Sequence, residues 1–277
     1  MTTFEVGSTT AKGGFANERA ICQKFNNWRS DTEAQLWLKI MGYNPKGLDS
    51  VEAIQIPTRM KRTDVELLGL KESFEELMRF KKTDAQLRIV ITIRKVIKVE
   101  NLSLKKANSD ADFNQIDKRW VDTYKEIWQF DDNVAFGLKL FTGEISPTSH
   151  PEITRNLSLR DKRRMFIDEL PESLRRKIIN FFSENKILVV SDILKGRGGL
   201  SATWMLVTRY NKDDDTTTWI LKDINTVMNF FGHGDVKVSP RGSLYLGKIT
   251  IMRKGGTPDP TKLQFKINPC KLFELKK

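Results

Sequence analysis

The stretch TDAQLRIVITIRKVIKVENLSLK, residues 83–105, decides how this chain reads. Leu87, Ile89, Ile91 and Ile93 alternate with Arg88, Thr92 and Arg94, and a period of two predicts a half-buried strand. A second strand is predicted over Val96–Lys105 after a tight turn, placed to pair with the first as a hairpin. Residues two apart on a strand share a face, so Ser103 and Lys105 look one way while Leu104 packs inward. Asp84 heads the first strand and comes near Lys105 only if the hairpin register permits. A carboxylate there can ligate a hard cation such as Mg²⁺, which polarises a phosphate and acidifies a bound water. The Lys105 ammonium, beside that water, can orient the nucleophile and offset the charge developing on the phosphorus centre. The spacing raises a metal-dependent nuclease centre, weighed against an Asp and a Lys falling at this separation by chance.

Outward from the hairpin, Ile21, Phe25 and Trp28 recur at helical spacing and predict a helix from about Asn17 to Trp28. Ser30 and Glu33 form a capping-box pattern before a second stripe of Ala34, Trp37, Leu38 and Met41, stopped by Gly42. VEAIQI (51–56) reads as a short strand. The charged segment 57–82, with a helical piece LLGLKESFEELMRF, reads as an inserted arm. A helix is predicted from Ile116, with Trp120, Tyr124, Ile127 and Trp128 on one face and Lys118, Arg119 and Lys125 supplying charge. Further helices are expected over Arg160–Glu169 and from Pro171 to Glu184. Beyond them ILVV, WMLV, TWILK, LYLGKITIM and LQFKI are candidate strands. With no repeat or low-complexity tract, the chain reads as a single α/β domain over 1–277 with a β-rich C-terminal half.

The 277 residues suffice for a sizeable core, and 39% apolar with 30% charged residues is a globular balance. No apolar run approaches a membrane span, and MTTFEVGSTTAKGG lacks a signal-peptide pattern, so a cytoplasmic protein is expected. Forty-seven Lys and Arg against 35 Asp and Glu leave a net charge of +12, which favours a polyanionic partner and steeply salt-dependent binding. Cys22 and Cys270 offer neither a disulfide framework nor a zinc-ribbon spacing. With only His150 and His233, histidine-rich nuclease and zinc-deaminase centres are excluded, so any catalysis falls to carboxylate and lysine. Two glycine-flanked basic turns, Lys195–Gly199 and Arg253–Gly256, would let backbone approach phosphates, although ordinary hairpin turns explain each as well. Neither has the surroundings of a P-loop.

Taken together, GGFANER (13–19), Thr83-Asp84, Ser103-Leu104-Lys105, DFNQIDKRW (112–120), DKRRMF (161–166), DILKGRG (192–198), PRGSL (240–244), RKGG (253–256) and LQFKINP (263–269) occur in one order along nearly the whole chain. In these the chain resembles the HinP-type/HhaI family of type II restriction endonucleases, which recognise GCGC. The resemblance implies a PD-(D/E)xK fold, a mixed central sheet flanked by helices, and Mg²⁺-dependent hydrolysis of double-stranded DNA leaving 5′-phosphate and 3′-hydroxyl ends. It implies Asp84 as the metal-binding carboxylate, the Leu104 backbone carbonyl as a further metal ligand and Lys105 as the catalytic lysine. Ser103 departs from the pattern, since the family usually has Asp, Glu or Gln there, and a neutral hydroxyl binds a metal weakly or through water. Glu18 is the residue placed to lend the missing negative charge.

For sequence reading, the same resemblance sets Asn114, Gln115 and Lys118, on a loop and helix start, against the DNA. Their amide and ammonium groups suit the major-groove edges of guanine and cytosine. Arg197, Arg241, Lys254 and Gln264 fall in other matched segments and are assigned to phosphates or bases without separating the two. Segment 57–82 is extra relative to the HinP-type pattern. The partners implied are duplex DNA and, acting on the same site without direct contact, a companion DNA methyltransferase in a bacterial cytoplasm. Monomer and homodimer both stay open, a monomer having to nick a symmetric site twice. The alternative is a basic nucleic-acid-binding module in which Ser103 marks a degenerate site.

Overall fold

In the computed structural model, which describes residues 16–57, 59–80, 86–155, 157–211, 214–254 and 261–276, the expected hairpin is present. In chain order the strands are β1 Ser50–Gln55, β2 Gln86–Ile93, β3 Val96–Ala107, β4 Asn114–Arg119, β5 Trp204–Asn211, β6 Thr216–Asp223, β7 Val236–Val238, β8 Leu244–Leu246, β9 Ile249–Arg253 and β10 Leu263–Ile267. Strands β2 and β3 pair antiparallel from Gln86 opposite Ser103 to Ile93 opposite Val96. Arg94 and Lys95 close the turn with φ of +47° and +68°, the two left-handed positions that a two-residue hairpin matching the strand twist requires. Contacts gather the chain into two compact units, Met1–Asn114 with Leu194–Met228 and Asn268–Lys277, and Gln115–Ile193 with Asn229–Ile267.

The first unit holds a five-stranded mixed sheet in the order β1-β2-β3-β5-β6, in which only the β3–β5 pairing is parallel. One face presents Leu87, Ile89, Ile91, Leu102, Leu104, Leu206 and Leu221. Against it pack Ile21 and Phe25 from a helix over 16–26, and Ala34, Trp37 and Leu38 from the helix Thr32–Ile40. Phe25 and Trp37 meet at 5.3 Å between ring centroids, and Trp219 stands edge-on to Trp37 at 5.7 Å. The alternation in β2 reads through to this core, but the opposite face is covered too, so Gln86 and Arg88 are buried rather than solvated.

Two local expectations in this unit are corrected. The second helix is capped by Asp31, whose carboxylate accepts from Ala34 N at 2.9 Å, while Ser30 donates back to Asn27 and Glu33 accepts from Trp219 Nε1. The single helical piece expected within 57–82 is two helices, Arg62–Leu67 and Phe74–Phe80, with Gly69 at φ +59° between them. That segment contributes Met60, Leu68 and Leu77 to a second small cluster completed by Ile56 and Leu200.

In the second unit the sheet runs β4-β10-β9-β8-β7. The helix expected from Ile116 begins only at Val121, and residues 114–119 are strand β4 instead. A buried polar network holds that strand. Arg119 pairs with Asp117 at 3.1 Å and Asp192 at 2.8 Å, and Asp117 and Asp192 also accept from Tyr124 and Trp128. Arg119 is thus a core cation with partners, which the reading of it as helix-surface charge missed. The ILVV run is helical, within Lys186–Leu194, because Val189, Val190, Ile193 and Leu194 form a buried stripe at helical spacing. The helix expected over Arg160–Glu169 is an irregular loop ending in one short turn, Ile167–Glu169. Its backbone donors are claimed elsewhere, Met165 N by Leu140 O and Ile167 N by Gly242 O. The helix Glu172–Glu184 is as expected, with Pro171 as its N-cap, and WMLV, TWILK, LYLGKITIM and LQFKI supply β5, β6, β8 with β9, and β10.

Candidate active site and nucleic-acid interface

Strand alternation separates the two sides of β3. Leu102 and Leu104 enter the apolar core, and Ser103 and Lys105 lie buried on the other side, Lys105 with 4% of its surface exposed. Gln86 faces Ser103 across the hairpin. Asp84, two residues ahead of Gln86, lies outside the described residues. Deeper along the same face, Arg88 Nη1 donates to Asn101 Oδ1 at 3.3 Å and to Gly199 O at 3.0 Å. Asn101 Nδ2 donates to Gly199 O at 2.8 Å and Ser201 O at 3.0 Å, and Gln86 Nε2 donates to Leu200 O at 3.1 Å. Burial lowers the pKa of Arg88 and the charge of Glu72 opposes that shift.

This network corrects the reading of the 195–199 turn. The glycines there make room for a carboxylate of the protein itself: Gly199 N donates to Glu72, and a Cβ on Gly198 would lie 2.5 Å from Glu72 Oε1. Arg197 in that turn is half-buried and engaged. Glu18 is buried on the helix over 16–26, whose Ile21 and Phe25 share the apolar cluster with Leu104.

The donors around Ser103 suit a hard cation in kind. The Ser103 hydroxyl and Leu104 carbonyl are oxygens, and among the described residues the buried Gln86 Oε1 accepts no hydrogen bond, on the residue that faces Ser103 across the hairpin. Among the described residues no group of three or more His, Cys, Asp or Glu is placed to hold a metal.

In the second unit, sequence-predicted residues come together on the second sheet. Gln264 on β10 donates to Gln115 on β4 at 2.6 Å. Lys118, at the end of β4, has a lowered pKa, first through burial and then through the charges of Lys254 and Lys262. Lys254 is lowered by burial and then by Lys266, and Lys266 by burial. Lys262 stands 5.1 Å from the exposed Trp120 ring. Lys262 and Lys266 were missed from sequence, although their period-two placement with Gln264 around buried Leu263, Phe265 and Ile267 was a readable signal. Asn114 is half-buried at the start of β4, and Arg241 is exposed in the turn closed by Gly242 N donating to Ser239 O. Gly255 and Gly256 of the other basic turn lie outside the described residues.

The model of the R.HinP1I restriction endonuclease family matches residues 72–273. The chain belongs to that family. It is accordingly a type II restriction endonuclease, a site-specific deoxyribonuclease. The endonuclease also resembles the crystal structure of restriction endonuclease MspI in complex with its cognate DNA, with a TM-score of 0.59 and 11% identity over 96% of this chain and 93% of that one. At that identity the likeness is one of fold, a mixed α/β sheet flanked by helices. None of the curated proteins compared matches the chain. Among the described residues no helix is long and apolar enough to cross a membrane.

Proposed function

We propose that this endonuclease hydrolyses phosphodiester bonds of duplex DNA at GCGC, using Mg²⁺ at a PD-(D/E)xK centre made by Asp84, Ser103, the Leu104 carbonyl and Lys105. The observation that carries the reading is the burial of Ser103 and Lys105 on one side of β3, away from the apolar core that takes Leu102 and Leu104. Mg²⁺, when bound, supplies a Lewis acid for the scissile phosphate and a more acidic water. Lys105 orients the attacking water through its ammonium and balances charge that grows on the phosphate oxygens. Its burial keeps bulk water from competing with that role. Ser103 contributes a neutral oxygen, and Glu18 supplies the charge that a carboxylate at 103 would have carried. The Gln86, Arg88 and Asn101 bonds to the 199–201 backbone hold this face rigid.

Sequence is read by the second unit. Gln115 and Gln264 present amide groups, and Lys118 with Lys254 presents cations, matched to the acceptors of guanine and the donor of cytosine. Asn114, Arg197 and Arg241 contact DNA at bases or phosphates. The enzyme acts in the bacterial cytoplasm beside a methyltransferase that modifies the same sequence. Plasmid digestion tests the reading: fragments that need Mg²⁺ and end at GCGC are expected. A salt-sensitive mobility shift without cutting would instead favour the binding module.

A further inference from the structure

The motif DKRRMF (161–166) carries more positive charge than the second unit neutralises. Asp161 accepts from Arg163 at three points, the backbone N at 3.0 Å, Nε at 3.0 Å and Nη2 at 3.1 Å. That grip, led by the Arg163 side chain, holds the Asp161 pKa down and commits its carboxylate. Two more guanidinium groups reach the same carboxylate only at a distance, Arg164 Nε at 3.7 Å and Arg253 Nη1 at 4.0 Å. Their side chains keep 18% and 12% of their surface exposed, yet neither donates a side-chain hydrogen bond among the described residues, and Arg164 Nε is fully buried. The neighbouring carboxylate of Glu169 is taken by Arg160 and by two backbone N–H groups.

Each guanidinium has five donors, and burying them unpaired is costly. What fixes Arg164 is packing, with its guanidinium carbon 4.1 Å from the Phe166 ring centroid and 6.0 Å from that of Phe141. The group is therefore pre-oriented while its donors stay unspent. Gly143 leaves space beside it, since a Cβ there would lie 2.6 Å from Arg163 O and 3.3 Å from Arg253 Nη1. Arg253 ends β9 immediately before Lys254, so two cations follow one another at this strand end.

We propose that Arg164 and Arg253 form a seat for one phosphate-type oxyanion, occupied by a backbone phosphate of the bound DNA strand, with exposed Arg163 at its rim. A phosphodiester offers acceptor oxygens in the planar spread that paired guanidinium forks match. The inference rests on the reading of the chain as a DNA nuclease.

The test is binding of a short GCGC duplex without divalent metal across a salt series, comparing wild type with the Arg164→Met/Arg253→Met double variant, which keeps aliphatic length and removes charge. Loss of one neutralised phosphate should lower the slope of log affinity against log salt by roughly 0.9, with affinity several-fold weaker at low salt. An unchanged slope overturns the proposal. Wild-type digestion of the same duplex with Mg²⁺ reads the nuclease assignment separately. Cutting with an unchanged slope sinks the seat alone, and a wild type that neither cuts nor binds sinks both. Inorganic phosphate in place of DNA separates the sources: thermal protection of wild type lost in the variant, with the DNA slope unmoved, assigns a free anion and rejects the DNA phosphate. Should the double variant fail to fold, Arg164→Lys/Arg253→Lys keeps charge but not the fork, and should retain the slope while weakening affinity. Unweakened binding by that variant would overturn the proposal.

Discussion

Arg88 on β2 and Asn101 on β3 spend donors on the carbonyls of Gly199 and Ser201, and Glu72 accepts from Gly199 N in the same loop. On the second sheet, Lys118, Lys254, Lys262 and Lys266 crowd one another, and none forms an ion pair among the described residues. Both regions are polar and partly or wholly buried. The first is satisfied by its own partners, whereas the second holds buried charge against neighbouring cations, a cost that duplex DNA offsets if the proposed interface holds. A substitution that damages the first should lower stability, and one that relieves the second should weaken DNA binding while leaving the fold intact.

The largest stability effect is expected where satisfied charge is broken. Arg119→Met leaves Asp117 and Asp192 buried without their cation and should destabilise the protein by about 3–5 kcal/mol, read as a drop in urea midpoint. Asn101→Leu removes two donors to the 199–201 backbone and should cost about 1–3 kcal/mol by the same measurement. A variant as stable as wild type would break the contrast in the first unit. Lys118→Met should act the other way, weakening cognate duplex affinity by roughly 1–3 kcal/mol with no loss of thermal stability, because it removes repulsion from Lys254 and Lys262. Unfolding of that variant would show the lysine to be structural.

The smallest effect is in pH. Lys118, Lys254 and Lys266 have lowered pKa values in the folded chain, so above them the unfolded chain holds more protons than the folded one. From those lowered values up to the ordinary lysine value near ~10.4, the free protein should gain stability as pH rises, while duplex binding weakens. Calorimetry and binding isotherms over that window check both signs. Falling stability across it would mean that these lysines carry no penalty.

The hairpin was legible because alternation, a two-residue turn and a buried face all pointed to one structure. Strand β4 was not, because Tyr124 and Trp128 extend a helical stripe back through Ile116 in the sequence, and only the Asp117–Arg119–Asp192 network reveals which backbone the segment adopts. ILVV misled through its β-branched residues, whose burial on a helix face is decided by tertiary packing. The shared buried face of Ser103 and Lys105 was readable from strand period alone. The crowding of Lys118 by Lys254 and Lys262, and the uncommitted donors of Arg164 and Arg253, depend on segments far apart in the chain. Spacing therefore does not disclose them.

The central claim is a catalytic centre shared by positions 84 and 105. Asp84→Ala and Lys105→Ala test it most directly when GCGC cleavage with Mg²⁺ and duplex affinity without metal are measured on the same preparations. Cleavage should fall by about 10³-fold or more in each variant while cognate binding stays within a few-fold of wild type. Wild-type cleavage rates in either variant would contradict the claim.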